Sequence, residues 1–197
     1  MTVIYWAAVI IILIASVGLL LVRNWRVGIA MLAAQYIGMF ILLLPHMPIA
    51  MASVKVIVGW MSCAILGMTR ADLGEDLEDR DIWPRGRLFR LSAAGMVAII
   101  IAGAVPVVNE IMADAGTSIT SGALLLIGMG LLHLGITSQI LRVTQGLMTV
   151  LAGFEILYSS VEGSVLIAAL LAIIILGLSL TGSYLMTASS SQKQRAP

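Results

Sequence analysis

The sequence predicts an all-α, polytopic membrane protein with seven transmembrane helices, and three observations carry that prediction. Of its 197 residues, 60% are hydrophobic and 11% charged, where a soluble domain is nearer half apolar and a quarter charged. Seven apolar segments approach the roughly 20 residues that a hydrocarbon core of about 30 Å demands. The basic residues fall almost entirely between alternate segments, as the positive-inside rule requires.

The segments follow in order. The first is expected over Thr2–Val22, with Tyr5 and Trp6 placed for an interfacial belt. It lacks a basic leader region and a clear small-residue cleavage site, so it reads as a retained helix rather than a signal peptide. RNWR makes a tight turn before the second, Val27–Leu44. Pro45, His46, Met47 and Pro48 break that helix and start the third, Ile49–Thr69. His46 is expected to be solvated in that turn. The one long polar stretch, Arg70–Arg90, precedes the fourth, Leu91–Val108. The fifth, sixth and seventh are expected over Ser118–Thr137, Arg142–Ser159 and Gly163–Thr187. A polar tail, residues 188–197, is expected to fray.

With the N-terminus outside, the inner loops hold ten of the eleven Lys and Arg residues. They are Arg23 and Arg26, Arg70, Arg80, Arg85, Arg87 and Arg90, Arg142, Lys193 and Arg195. The eleventh, Lys55, lies inside a helix, and the outer loops carry His46, Glu110, Asp114 and Glu162. The predicted orientation is N-out, C-in, in the inner (cytoplasmic) membrane of a cell. The chain also repeats in form: helix, tight basic turn, helix with a polar residue, short turn, helix. Residues 1–69 form one three-helix repeat and 118–187 a second, parallel to it. The charged loop 70–90 and a spacer helix with its loop, 91–117, join them. Weak internal symmetry of this kind occurs in transport folds.

Composition and motifs exclude several classes. The net charge of +1 gives no signal for nucleic acid, and the single cysteine, Cys63, builds no disulfide framework or metal cluster. No Walker sequence, dinucleotide fingerprint, CxxC, HExxH or nucleophile–base pair is present.

Two ionisable side chains at membrane depth carry the functional expectation. Glu155 sits in GLMTVLAGFEILYSS and Lys55 in PIAMASVKVIVGWMSCAIL. Each costs about 2.5 kcal/mol or more to hold in hydrocarbon, so each is a functional hypothesis by default. Both belong to the outer half of the membrane, where a Lys–Glu pair would couple their protonation. The plainer readings are that Glu155 reaches headgroup water, and that Lys55 snorkels or pairs with an acid of another subunit. Gln35, His133, Arg142, Thr144 and Gln145 supply further polar groups within the helices. Singly they read as interhelical glue; together they would order a water chain, with His133 alone able to titrate near neutral pH. Six of the ten acids fall in the loop Arg70–Arg90, which reads as a solvated face or as a docking surface for a soluble or neighbouring subunit. Its last part, IWPRGRLFRL, suits a short interfacial piece.

The segment AGFEILYSS (Ala152–Ser160) resembles the K subunit of complex I, the NADH–quinone oxidoreductase. TQGLMTVLAGFEI is similar to that subunit's second helix without a gap, and Glu155 falls on its essential intramembrane glutamate. Over nearly its full length the chain resembles hydrogenase-4 component E, with Arg142 and Glu155 in the second repeat and Gln35 and Lys55 on polar positions of the first. Related subunits occur in Mrp-type cation/proton antiporters. The resemblance implies a membrane-arm subunit that relays protons beside antiporter-like and other membrane subunits, with no cofactor of its own. The last helix carries no acid where component E has one. Glu155 would then act with acids of neighbouring subunits, or the chain would serve mainly as scaffold. The competing classes are a structural subunit of another energy-converting assembly and a small stand-alone transporter.

Overall fold

The computed structural model describes residues 2–74, 86–112 and 115–195, with side chains as far as Gln192. Among them there is no strand. Seven helices are long and apolar enough to cross a membrane: α1 Thr2–Leu21, α2 Trp25–Leu43, α3 Ile49–Asp72, α4 Arg87–Ile111, α5 Thr117–Gly135, α6 Ile140–Val161 and α7 Val165–Arg195. This is the build of a multi-pass membrane protein.

The helices begin where the sequence supplies a reason. The chain leaves α1 through Arg23, and Asn24 caps α2 by accepting a hydrogen bond from the Arg26 amide at 2.9 Å. Pro48 is the extended residue ahead of α3, where its missing N–H costs nothing. Gly116, at φ 94°, turns the chain into α5, in a conformation that L side chains avoid. Along α1 the residues Ala8, Ile12, Ala15 and Leu19 face the bundle, while Val3, Ile10 and Ile14 are exposed. A helix apolar on both faces suits hydrocarbon outside and packed protein inside.

Helix α6 is the most buried span and α4 the least. The tightest packing is of α5 on α6, and glycine allows it. A Cβ on Gly153 would stand 2.6 Å from the Ala123 carbonyl oxygen, and one on Gly130 would stand 2.9 Å from the Val150 amide nitrogen. Backbone therefore meets backbone there, as in close helix pairs of membrane proteins. Helix α1 packs on α2, α4 and α5; α2 packs on α3 and α6; α7 closes on α3 and α6. Two links each show that α2 runs alongside α6, and α3 alongside α7, in the same direction. Gly28 lies against Gln145 and Gln35 bonds to Thr149; Lys55 bonds to Ala168 and Thr69 to Ser183.

Several boundaries differ from expectation, for local reasons. Helix α4 starts at Arg87, so Arg87–Leu91 form its first turn rather than a separate interfacial piece. Arg90 is buried, donating to the Leu20 carbonyl at 3.1 Å. Helix α6 starts two residues before Arg142. Helix α7 continues to Arg195 through residues read as tail; the hydroxyls of Ser189 and Ser190 donate back to the carbonyls of Met186 and Thr187 at 2.8 Å, within one helical turn. His46, read as solvated, is half-buried, with Nε2 3.3 Å from the Ala115 carbonyl oxygen. That contact fastens the α2–α3 turn to the start of α5. Residues 75–85, with Arg80 and Arg85 and most of the expected docking surface, lie outside the described residues.

Candidate functional site

The site is built where α3, α6 and α7 meet near one end of the bundle. Lys55 lies six residues inside the start of α3, and Glu155 six residues before the end of α6. At a rise of about 1.5 Å per residue, both head groups belong about 9 Å below the same helix ends. They form a direct ion pair, Nζ of Lys55 donating to Oε1 of Glu155. Lys55 Nζ also donates to the Ala168 carbonyl in the first turn of α7, at 2.6 Å. Lys55 is 3% exposed and Glu155 2%. Neither reaches lipid headgroups or bulk water, so the snorkelling readings fail on geometry, and Lys55 finds its acid within its own chain.

The second oxygen, Glu155 Oε2, is buried and has no hydrogen-bond partner among the described residues. A carboxylate with one oxygen on an ammonium and the other bare is an acceptor held open. Proton transfer from Nζ to Oε1 would convert the ion pair into a neutral amine and acid without moving either helix. In a low-dielectric interior the balance between those two forms depends on every nearby charge.

A second polar layer lies deeper. Gln35 Nε2 on α2 donates to the Ser16 hydroxyl on α1 at 2.8 Å. The Thr149 hydroxyl on α6 lies 3.0 Å from Gln35 Oε1 and 2.9 Å from the Gln145 carbonyl. The side chain of Gln35 thus joins three helices, the role expected of interhelical glue. Ser16 and Thr149 were not singled out from sequence. The signal was there: Thr149 stands four residues from Gln145, one turn along the same face. Ser62, seven residues along α3 from Lys55 on the same stripe, is fully buried, and its hydroxyl has no partner among the described residues.

The remaining expected residues are all buried and lie nearer the opposite end. The His133 ring on α5 packs against Gly146 of α6. Arg142 donates to the Val22 carbonyl at 3.2 Å, so the start of α6 and the end of α1 share one end of the bundle. Gln145 follows one turn further in. Thr144 packs against Gly182 of α7 and bonds back to the Ile140 carbonyl at 2.9 Å. The structure brings Lys55 and Glu155 together and joins Gln35 to the Gln145 backbone through Thr149. It does not connect these two layers by a hydrogen bond among the described residues. Between them α6 presents Ala152 and Gly153, both buried.

No group of three or more His, Cys, Asp or Glu side chains capable of holding a metal ion occurs among the described residues. Comparison of the chain with protein-family models, with curated proteins and with solved structures gives no match.

Proposed function

We propose that the chain is a membrane-arm subunit of a proton-translocating complex of the complex I-like, membrane hydrogenase-like or Mrp-like kind. In this reading Glu155 and Lys55 form an intramembrane proton relay. The observation that carries it is the enclosed Lys55–Glu155 pair with the second carboxylate oxygen open. An ion pair in hydrocarbon is poor value as a fastener, because desolvation offsets much of its attraction. It is well suited to storing a protonation state that a neighbouring subunit can alter. The likeness of the Glu155 segment to the K subunit of complex I points the same way.

The reading includes a topology and an architecture. N-out, C-in insertion in the inner (cytoplasmic) membrane is supported by the basic residues gathered at one end. Arg142 bonds at the α1–α2 turn, which holds Arg23 and leads into Arg26 in the first turn of α2, and Arg90 bonds to the last turn of α1. Two parallel three-helix repeats with α4 as spacer are supported by the pairwise packing of α1 on α5, α2 on α6 and α3 on α7.

The test is Glu155→Gln in the intact complex in its native membrane. Glutamine keeps the volume and an oxygen acceptor for Lys55 but cannot carry a transferable carboxyl proton. Coupled proton movement should be lost while the subunit still assembles. Unimpaired pumping by a fully assembled variant would sink the proposal and leave a scaffold role.

A further inference from the structure

At the end of the bundle away from the Lys55–Glu155 pair, a small cavity opens between the α1–α2 turn and the start of α6. Arg23, Trp25, Gly28, Gln139, Arg142 and Gln145 line it. Its internal volume is about 20 Å³, room for one or two oxygen-sized groups at about 10–15 Å³ each. Several features of this wall favour an anion or an acceptor. Arg23 and Arg142 bring guanidinium groups, and no acid lines the cavity among the described residues. Helices α2 and α6 both begin here, so the positive ends of two helix dipoles face it; Asn24, also on the wall, already takes the Arg26 amide of α2, which leaves the first-turn N–H groups of α6 as the open donors. Gln139, at the start of α6, gives that helix no side-chain cap.

One further feature asks for a ligand. Gln145 is 2% exposed, and its Nε2 has no hydrogen-bond partner among the described residues. The amide lies beside Gly28, whose missing side chain leaves the space open: a Cβ there would stand 3.5 Å from Nε2. A buried N–H₂ donor without an acceptor is costly. An acceptor entering the cavity from the membrane surface would satisfy it.

We infer that this cavity is a phosphate-binding site at the membrane surface. It would take two non-bridging oxygens of a phosphate group, one on the Gln145 amide and the start of α6, the other toward Arg23. The two sources of that chemistry are an anionic phospholipid headgroup and free inorganic phosphate. A phosphodiester presents two such oxygens with its remaining substituents directed outward, which matches the volume of the cavity and its position at the helix ends. The inference does not depend on the proton relay, which lies at the other end of the molecule.

The test uses the full-length protein with Trp6, Trp60 and Trp83 replaced by phenylalanine, in a phosphate-free, non-ionic detergent, so that Trp25 fluorescence is the readout. It is titrated with dioctanoyl phosphatidylglycerol, with dioctanoylglycerol, which has the same chains and no phosphate, and with sodium phosphate against sodium chloride at equal ionic strength. Saturable binding of the phosphatidylglycerol without a response to dioctanoylglycerol is expected; a saturable response to sodium phosphate as well would make free phosphate a second source. Arg23→Gln, at an exposed position, should weaken binding about tenfold, the loss of one charge-assisted hydrogen bond. Gln145→Leu should weaken it by a similar factor of about ten. An equal response to dioctanoylglycerol, no response to either phosphate source, or unchanged binding in both variants would overturn the inference.

Discussion

Replacing Lys55 by methionine removes the ammonium and keeps most of the stem volume. In the wild type that ammonium donates to Glu155 and to the Ala168 carbonyl. The second loss is small, because Ala168 can still accept from its own helix. The first leaves a carboxylate 2% exposed with neither oxygen bonded, since Oε2 already lacks a partner among the described residues. Removing one member of a buried ion pair costs about 3–5 kcal/mol. For a chain of this size that corresponds to a fall in melting temperature of about 6–20 °C. Glu155→Met should cost a similar amount, leaving the lysine without its acid. The double variant should lie within about 1 kcal/mol of wild type, because an apolar pair of similar volume replaces an ion pair at little cost. The assay is thermal and denaturant unfolding of the purified protein in detergent, followed by tryptophan fluorescence, for all four members of the cycle. If the double variant loses the sum of the two single losses, the charges do not stabilise one another and the site reasoning fails.

The α5–α6 contact makes its own prediction. Gly153→Val should separate the two helices and cost at least 2–3 kcal/mol, roughly the penalty of overpacking a tight core. Gly177→Ala, where an added Cβ meets nothing within 4 Å, should be neutral or slightly stabilising in the same unfolding assay. The proposed topology predicts that cysteines placed at Arg23 and at Pro45, in a Cys63→Ala background, react with an impermeant maleimide from opposite sides of the membrane. Arg23 should label only from the cytoplasmic side; labelling of both positions from one side would refute the orientation.

The seven spans were legible because hydrocarbon imposes a length and a composition that few other environments demand, and because the RNWR turn and the prolines Pro45 and Pro48 punctuate the helices visibly. The common depth of Lys55 and Glu155 was legible too, since helix rise alone locates a residue along the membrane normal. Direction around the helix axis is harder to read. Ser16 stands singly among apolar neighbours, and although Thr149 shares a face with Gln145, periodicity cannot say that either turns toward Gln35. Arginines were read by the sign of their charge, which finds the end of the bundle but not the packing. Arg70 and Arg90 are both buried and bond to backbone carbonyls, Gly74 and Leu20 respectively. The end of α7 lies beyond the expected Thr187 for a simpler reason: hydroxyls that donate back to the helix let a polar segment continue it.

Lys55 and Glu155 are separated by 100 residues in the chain. At a synthesis rate of about 5–20 residues per second, α3 leaves the ribosome roughly 5–20 s before α6. During that interval the nascent α3 carries an ammonium group whose counter-ion has not yet been made. Its apolar neighbours Val56, Ile57 and Val58 favour insertion, and the lysine stem, close to one end of the helix, can extend to the headgroups while it waits. Arrival of α6 would then draw the ammonium inward, making the closing of this pair a late event in biogenesis.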